Sequence, residues 1–418
     1  MIIRRTPEDF RVTEHLTALA TSAIVPGEGA WEVWKLTKQS LTTPDAVGLL
    51  AKLLGIKPGQ IEYAGLKDKH AITTQYISIP RNAAVALKGK VADGEGKSAA
   101  QRTVQPLGSA QSGRGWNADL IGFCAAPLLA AAIGKNHFQI VVREMTQRDV
   151  REMGRRASII KTGTTLFIPN YFGDQRFSGV KNIDSFAAPH LIHNDFESAL
   201  KLMIATPSRK DAGQRKDFTR LAATHWGDWK RLCKVLPRCQ EFGAIEVLSN
   251  GGTFAAAFSE LPYLDQQMAV ESFQSYIWNL TLRSLCRVHG QATPKKMFTT
   301  TDPFGELVFI APDVLSPELM QLQIPLLAST STLKDPWKNA AIEALKSAEV
   351  KLQHLRVPEL RRPQFGEAMR LGFVHATDFE LGAAERDDLG REDRSKRTLR
   401  FSLPRGSYAT IVLRSLGQ

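Results

Sequence analysis

The chain has 418 residues, 43% hydrophobic and 23% charged, with 54 Lys and Arg against 42 Asp and Glu for a net charge of +12. This ordinary globular usage excludes disordered, collagen-like and coiled-coil architectures, and the length exceeds the ~250–300 residues at which one core stops growing, so two domains are expected. No stretch approaches the ~18–20 apolar residues of a membrane span, and Met1-Ile-Ile-Arg-Arg5 reaches charge too early for a secretory signal, so the expectation is a soluble cytoplasmic protein with no membrane association.

Phe10-Arg-Val-Thr-Glu14 alternates apolar and polar residues and predicts a half-buried strand. Ala30-Trp-Glu-Val-Trp-Lys-Leu36 is a second, rich in aromatic and β-branched types. A helix is expected over 43–54, with Thr43 as cap, Pro44 and Asp45 in the first turn and Gly55 as the stop. Thr73 to Ile79 alternates again and ends at Pro80, a third strand. Residues 81–116 are rich in Gly, Ala, Ser and Lys and read as a loop. Phe138 to Val142 predicts a strand, Arg148 to Lys161 a helix, and Asn170 to Gly179 a turn-rich loop. Helical patterns then dominate to about residue 350, most clearly from Asp265 to His289 with its stop at Gly290. Leu399 to Leu403 and Tyr408 to Leu413 return to strand character around the Pro404-Arg-Gly406 turn. A β-rich start, a helical middle and a β-rich end suggest a sheet domain interrupted by a helical insertion.

Four cysteines, Cys124, Cys233, Cys239 and Cys286, are too few for a disulfide framework and fit no common zinc spacing. No phosphate loop or dinucleotide fingerprint occurs, which counts against ATP-driven and nicotinamide chemistry. The densest chemistry lies in Tyr63 to Tyr76, where Asp68 stands between Lys67 and Lys69 with His70 beside it. Flanking cations keep a carboxylate ionised, as suits a nucleophile; a solvated turn is the plainer alternative. Asn170 to Phe177 interleaves aromatics with Arg176 and could stack on bases. Alternatively, Tyr171, Phe172 and Phe177 are core and Arg176 pairs with Asp174. From Lys201 to Arg238 there are ten Lys and Arg against three Asp, with Trp226 and Trp229 among them. Arg209, Lys210, Arg215 and Lys216 in this run form the candidate phosphate-binding surface.

At Gly65-Leu-Lys-Asp-Lys-His-Ala71 the sequence resembles the pseudouridine synthase D (TruD) family. Pro7 to Glu14, Gly134-Lys-Asn-His-Phe138, Pro169 to Phe177 and Leu403-Pro-Arg-Gly-Ser-Tyr-Ala-Thr410 are similar to that family's other motifs, in the same order. The resemblance implies an α+β pseudouridine synthase fold, with a bent, mainly antiparallel sheet over 1–170 and 365–418. A mostly helical insertion domain would occupy 171–364. It implies isomerisation of uridine in RNA, typically uridine-13 in the D-arm of tRNA. Asp68 would be the catalytic aspartate, with Phe10, Lys67, Asn136 and Tyr408 shaping the uridine pocket and Arg176 also binding substrate. No cofactor or metal is implied, tRNA is the partner, no obligate protein partner is expected and the chain would be a monomer. Action on another RNA, and a non-catalytic RNA-binding protein on the same fold, stay open as alternatives. So does an aspartate-dependent glycoside or nucleoside hydrolase, which would want a second carboxylate, Glu62 being the nearby one.

Overall fold

Alternation in the N-terminal segment produces a strand, β1 (Phe10–Leu16), whose Phe10, Val12 and Glu14 turn inward. The computed structural model describes residues 1–82, 115–177, 180, 183–207, 211 and 213–418. Most of the 81–116 loop, together with Arg209 and Lys210, lies outside the described residues. After a short helix, α1 (Ala18–Ser22), come β2 (Trp31–Gln39), helix α2 (Thr43–Leu54), and strands β3 (Glu62–Tyr63) and β4 (Ile72–Pro80). Then follow β5 (Gly115–Cys124), β6 (Ile133–Met145), α3 (Gln147–Ile160), β7 (Lys161–Thr162) and β8 (Thr165–Pro169).

Helix α2 forms where the caps place it, with one shift. Thr42, not Thr43, is the cap: its side chain accepts from the Asp45 amide, and the Asp45 carboxylate accepts from the Thr42 amide. Gly55 ends the helix in the left-handed region at φ +64°. Its inner face, Ala46, Val47, Leu50, Ala51 and Leu54, packs on Trp34, Leu36, Ile77, Ile79, Trp116 and Ala118 of the sheet. Thr43, one residue too deep to cap, is fully buried and serves the site described below.

The chain divides into two compact units, Met1–Phe167 with His375–Gln418, and Ile168–Val374. The second unit carries helices α4 to α9 (Ala188–Ile192, Phe196–Ile204, Gly213–Thr224, Trp229–Val235, Phe242–Ser249 and Phe254–Ser259) and the long α10 (Tyr263–Gly290). It also holds strands the helical pattern did not announce: β9 (Met297–Asp302), β10 (Gly305–Ile310) and β11 (Gln323–Leu326), with helices α11 (Pro317–Met320) and α12 (Lys338–Ser347). Strand β12 (Ala368–Leu371) pairs antiparallel with β11, which keeps these residues in the second unit. The centre of α10 is buried on all sides, so its polar residues are bonded rather than solvated. Gln274 donates to the Leu327 and Gly366 carbonyls, and Asn279 exchanges two bonds with the Phe172 backbone.

The chain returns through β13 (Phe373–Leu381), β14 (Glu385–Arg386) and β15 (Ser395–Pro404) and ends on helix α13 (Ala409–Ser415). The strand expected over 408–413 is therefore a helix. Thr410, Ile411 and Val412 favour strands intrinsically, but burial of Ile411, Val412, Leu413 and Leu416 overrides that preference. The large sheet has the order β5-β2-β4-β1-β6-β15-β13-β8-β7, with β3 beside β4 and β14 beside β15. Its central β1–β4 pair is parallel, while β1–β6, β6–β15, β2–β4 and β2–β5 are antiparallel. The fold is thus α+β with a mixed, mainly antiparallel sheet.

One buried arginine ties this unit together. Arg143 on β6 donates from Nε to both Asp9 oxygens at 2.9 and 3.0 Å, and from Nη1 to Asp387 at 2.7 Å and Asp388 at 2.8 Å. Burial pushes the Asp387 carboxyl up, but the Glu144 and Leu389 amides and Arg143 outweigh it and hold it below the ordinary carboxylate range. Replacing Arg143 by Met leaves two buried carboxylates without their cation and is expected to cost about 3–5 kcal/mol in urea unfolding at neutral pH. Because Asp387 is depressed in the folded state, its contribution is present above the ordinary carboxylate range, near pH ~4, and is lost as pH falls below it. The gap between variant and parent should therefore narrow in acid.

Candidate active site

The segment 64–71 links β3 to β4, two strands that pair antiparallel through Glu62 with Ser78 and Tyr63 with Ile77. Loops of this kind are usually mobile; this one is fastened along its length. Gln75 on β4 accepts from the Thr43 hydroxyl at 2.9 Å, and that same hydroxyl oxygen accepts from the Lys67 amide at 3.0 Å. The Gly65 carbonyl accepts from the Gln75 amide group at 3.4 Å. Ala71, where the loop re-enters the sheet, is fully buried.

Asp68 projects from this loop with each carboxylate oxygen engaged. Oδ1 accepts from the His70 amide at 2.9 Å, and Oδ2 forms an ion pair with Arg4 Nη2 at 2.6 Å. The Arg4 guanidinium lies over the Phe10 ring, 4.3 Å from its centroid, and Phe10 in turn meets Phe138 edge-on at 6.3 Å. Phe10 is 3% exposed, so these contacts make it a support for Arg4.

The cation beside Asp68 is thus Arg4, and the expected partners Lys67 and Lys69 take other roles. Lys67 turns inward to Glu14, 2.6 Å away, and donates to Asn136 Oδ1 at 2.9 Å. Lys69 is exposed. Glu14 is 1% exposed and its other oxygen accepts from the Tyr76 amide at 2.9 Å. Glu14 and Asn136 face each other across the β1–β6 register, with Leu403 of β15 on the far side of Asn136. An ammonium only donates, so the Asn136 atom it meets is the carbonyl oxygen, and the amide NH2 is left to donate elsewhere. The carboxylate that joins this cluster is Glu14, not Glu62, which sits exposed on β3.

A buried lysine, overlooked in the sequence, completes the cluster. Lys38 is 1% exposed and donates to the carbonyls of Leu41 and Asp68, each at 2.8 Å, and Lys67 at 3.4 Å. Burial pushes its ammonium down to about 8, against the opposing pull of the Asp68 charge. Parity along β2 carries the signal: Trp34, Leu36 and Lys38 all face inward. The same parity places Glu14 inward with Phe10 and Val12 on β1.

Tyr408 is half-buried at the cap of α13, following the turn that ends β15. Arg176, Arg215 and Lys216 belong to the second unit. There Arg176 pairs with Glu271 at 2.6 Å and donates to Ser275 at 2.9 Å, replacing the expected Asp174 pairing. Tyr171, Phe172 and Phe177 are buried at 0%, 7% and 4% exposure, so they are core and not a stacking surface. Arg215 pairs with Glu241 at 3.1 Å, and Lys216 is exposed. No cluster of metal-ligating side chains occurs among the described residues, and no helix among them is long and apolar enough to cross a membrane.

The first unit thus presents a carboxylate on a fastened loop, paired with an arginine, at the mixed sheet. The family model for tRNA pseudouridine synthase D (TruD) matches residues 1–296. The chain belongs to that family, whose members are isomerases acting on tRNA. It is 27% identical to the tRNA pseudouridine synthase D of Aquifex aeolicus, over 99% of this chain and 97% of that one. It is 26% identical to the one from Leptospira interrogans, over 99% and 95%. A crystal structure of a candidate tRNA pseudouridine synthase D from Methanosarcina mazei superposes with a TM-score of 0.66 at 21% identity, covering 99% of this chain and 92% of that one; at that identity the likeness is one of fold.

Lys67 is expected to be needed for stability as well as for the site. In Lys67→Met, Glu14 becomes a buried carboxylate without its cation, at a cost of about 3–5 kcal/mol at pH 7 in urea unfolding. An unpaired buried carboxyl takes up its proton at higher pH, so the deficit should shrink when the same comparison is made at pH 5.

Proposed function

We propose that this chain converts uridine-13 in the D-arm of tRNA to pseudouridine, with Asp68 as the nucleophile. The observation that carries the reading is the Asp68 carboxylate itself, paired with Arg4 and aimed by the His70 amide. Isomerisation breaks the N1–C1′ bond, turns the base and joins C5 to C1′; no electrons leave and no energy input is required. Asp68 attacks C1′ and displaces the uracil anion. After the base turns, C5 attacks C1′, the carboxylate departs, and the C5 proton is lost while N1 gains one. Promotion of a glycal by the same carboxylate, or attack at C6, would use the same group differently.

The target must leave its stack, at a cost of a few kcal/mol. Stacking on Tyr408 would return about 1–3 kcal/mol. The Asn136 NH2, not engaged by Lys67, which meets the Oδ1 atom, suits a carbonyl oxygen of uracil. The cations of 201–238 would hold the tRNA body by binding its phosphates, Arg209, Lys210, Arg215 and Lys216 among them.

Asp68→Asn is expected to abolish tritium release from tRNA transcripts carrying 5-tritiated uridine while the dissociation constant for tRNA stays near that of the parent. Substantial turnover by the variant would overturn the assignment. Changing Arg209, Lys210 and Lys216 to Gln should flatten the salt dependence of tRNA binding by roughly 0.7–0.9 in log–log slope for every phosphate the variant no longer neutralises. An unchanged slope would remove the cluster from the interface. Arg215 is better left in place, because it pairs with the largely buried Glu241.

A further inference from the structure

Lys38 stands where a sheet packed against a helix would be expected to carry an apolar side chain. Across the register, Trp116, Lys38, Thr73, Val12, Phe138 and Phe401 form one row over six strands, and every one of them is buried. An ammonium in such a row is costly unless its hydrogens are met. It has three donors, and three backbone carbonyls meet them: Leu41 at the start of the approach to α2, and the consecutive Lys67 and Asp68. A lysine kept only to fill space would be replaced by methionine without loss, and one kept for a surface ion pair would reach water. Lys38 does neither; it directs its donors to the backbone of the segment that carries the reactive carboxylate.

We infer that Lys38 is a positioning residue for the isomerisation: it grips the Lys67 and Asp68 carbonyls and so fixes the backbone from which the Asp68 carboxylate projects toward Arg4. The inference rests on the reading of Asp68 as nucleophile. Lys38 does not touch the substrate, and its effect is on the chemical step and not on tRNA affinity, because misplacement by a fraction of an ångström penalises attack far more than binding. Titration gives a second handle. Burial depresses the Lys38 ammonium to about 8; the charge of Asp68 opposes this, Lys67 adds to it, and Asp45 on α2 opposes it. Below that pH all three carbonyls have donors. Above it the neutral amine has two N–H groups and turns a lone pair toward the third carbonyl, so the rate should fall as pH rises through about 8.

The test is single-turnover tritium release by the full chain with 5-tritiated tRNA transcript, between pH 7 and 8.5. Lys38→Met is expected to lower the rate constant about 100-fold, with the tRNA dissociation constant within about threefold of the parent and no alkaline fall. Lys38→Arg, charged throughout this range, should recover part of the rate and also lack the fall. A folded Lys38→Met with a rate within about threefold of the parent, or an alkaline fall that persists in either variant, would overturn the inference. Should the methionine variant fail to fold, the arginine variant decides by its pH profile. Asp68→Asn is run alongside: turnover by it sinks the nucleophile reading, whereas an inactive Asp68→Asn with an unimpaired Lys38→Met sinks the positioning role alone.

Discussion

Charge is buried on the inner face of the sheet, and whatever covers that face must satisfy it. Lys38 and Glu14 are each 1% exposed, so neither can fall back on water, and an unpaired buried charge costs several kcal/mol. The segment 64–71 supplies the answer to both. Its Lys67 side chain meets Glu14, and its Lys67 and Asp68 carbonyls meet Lys38. The loop is therefore not free to choose its conformation. Functional groups need placement to within a fraction of an ångström on a rigid support, and here a loop obtains that rigidity from the strands beneath it.

Topology explains why this loop and no other is so placed. The parallel pairing of β1 with β4 cannot be closed by a tight hairpin and needs a crossover. The crossover contains β2, α2 and β3, and the loop is its last piece, delivered to the start of β4 beside β1. Strand β1 thus brings Phe10 beneath Arg4 and Glu14 beneath Lys67 from a single alternating run. Just before that run stands Asp9, whose carboxylate binds Arg143 of β6 and the Arg5 and Thr6 amides. The chain is consequently fastened directly after Arg4, the residue that meets Asp68, by an ion network that also holds the returning chain at Asp387.

The alternating strands and the glycine-stopped helix were legible in the sequence because each encodes a periodicity that a half-buried element must have. Asp68 was legible as a carboxylate among cations. Its true partner was not, because adjacency in sequence suggested Lys67 and Lys69, whereas in an extended loop neighbouring side chains diverge and the cation arrives from Arg4, remote in sequence. Lys38 and Glu14 were hidden by type: charged residues in a strand are read as the solvent face, although parity with Leu36 and Val12 put them on the core side. The 408–413 segment failed for the opposite reason, since its β-branched residues speak for a strand and tertiary burial made it a helix. The β9–β10 hairpin carried a usable signal in Asp302-Pro-Phe-Gly305 between apolar runs, which the surrounding helical pattern outweighed.

The excess of positive charge takes on a narrower meaning once its partners are known. Within 201–238, Arg215 pairs with Glu241, Arg220 with Asp217 and Arg238 with Glu246. Exposed pairs of this kind are worth ~0–1 kcal/mol, so a phosphate can take the place of Asp217 or Glu246 at little cost, and those arginines remain available to a polyanion. Arg215 differs, because Glu241 is 8% exposed and its carboxylate would be left in a poorly hydrated setting if the arginine turned away. The exposed Lys216, Lys230, Arg231 and Lys234 carry no such penalty. Counting charges treats these cations alike, whereas what each could offer a polyanion depends on how dry its present partner is.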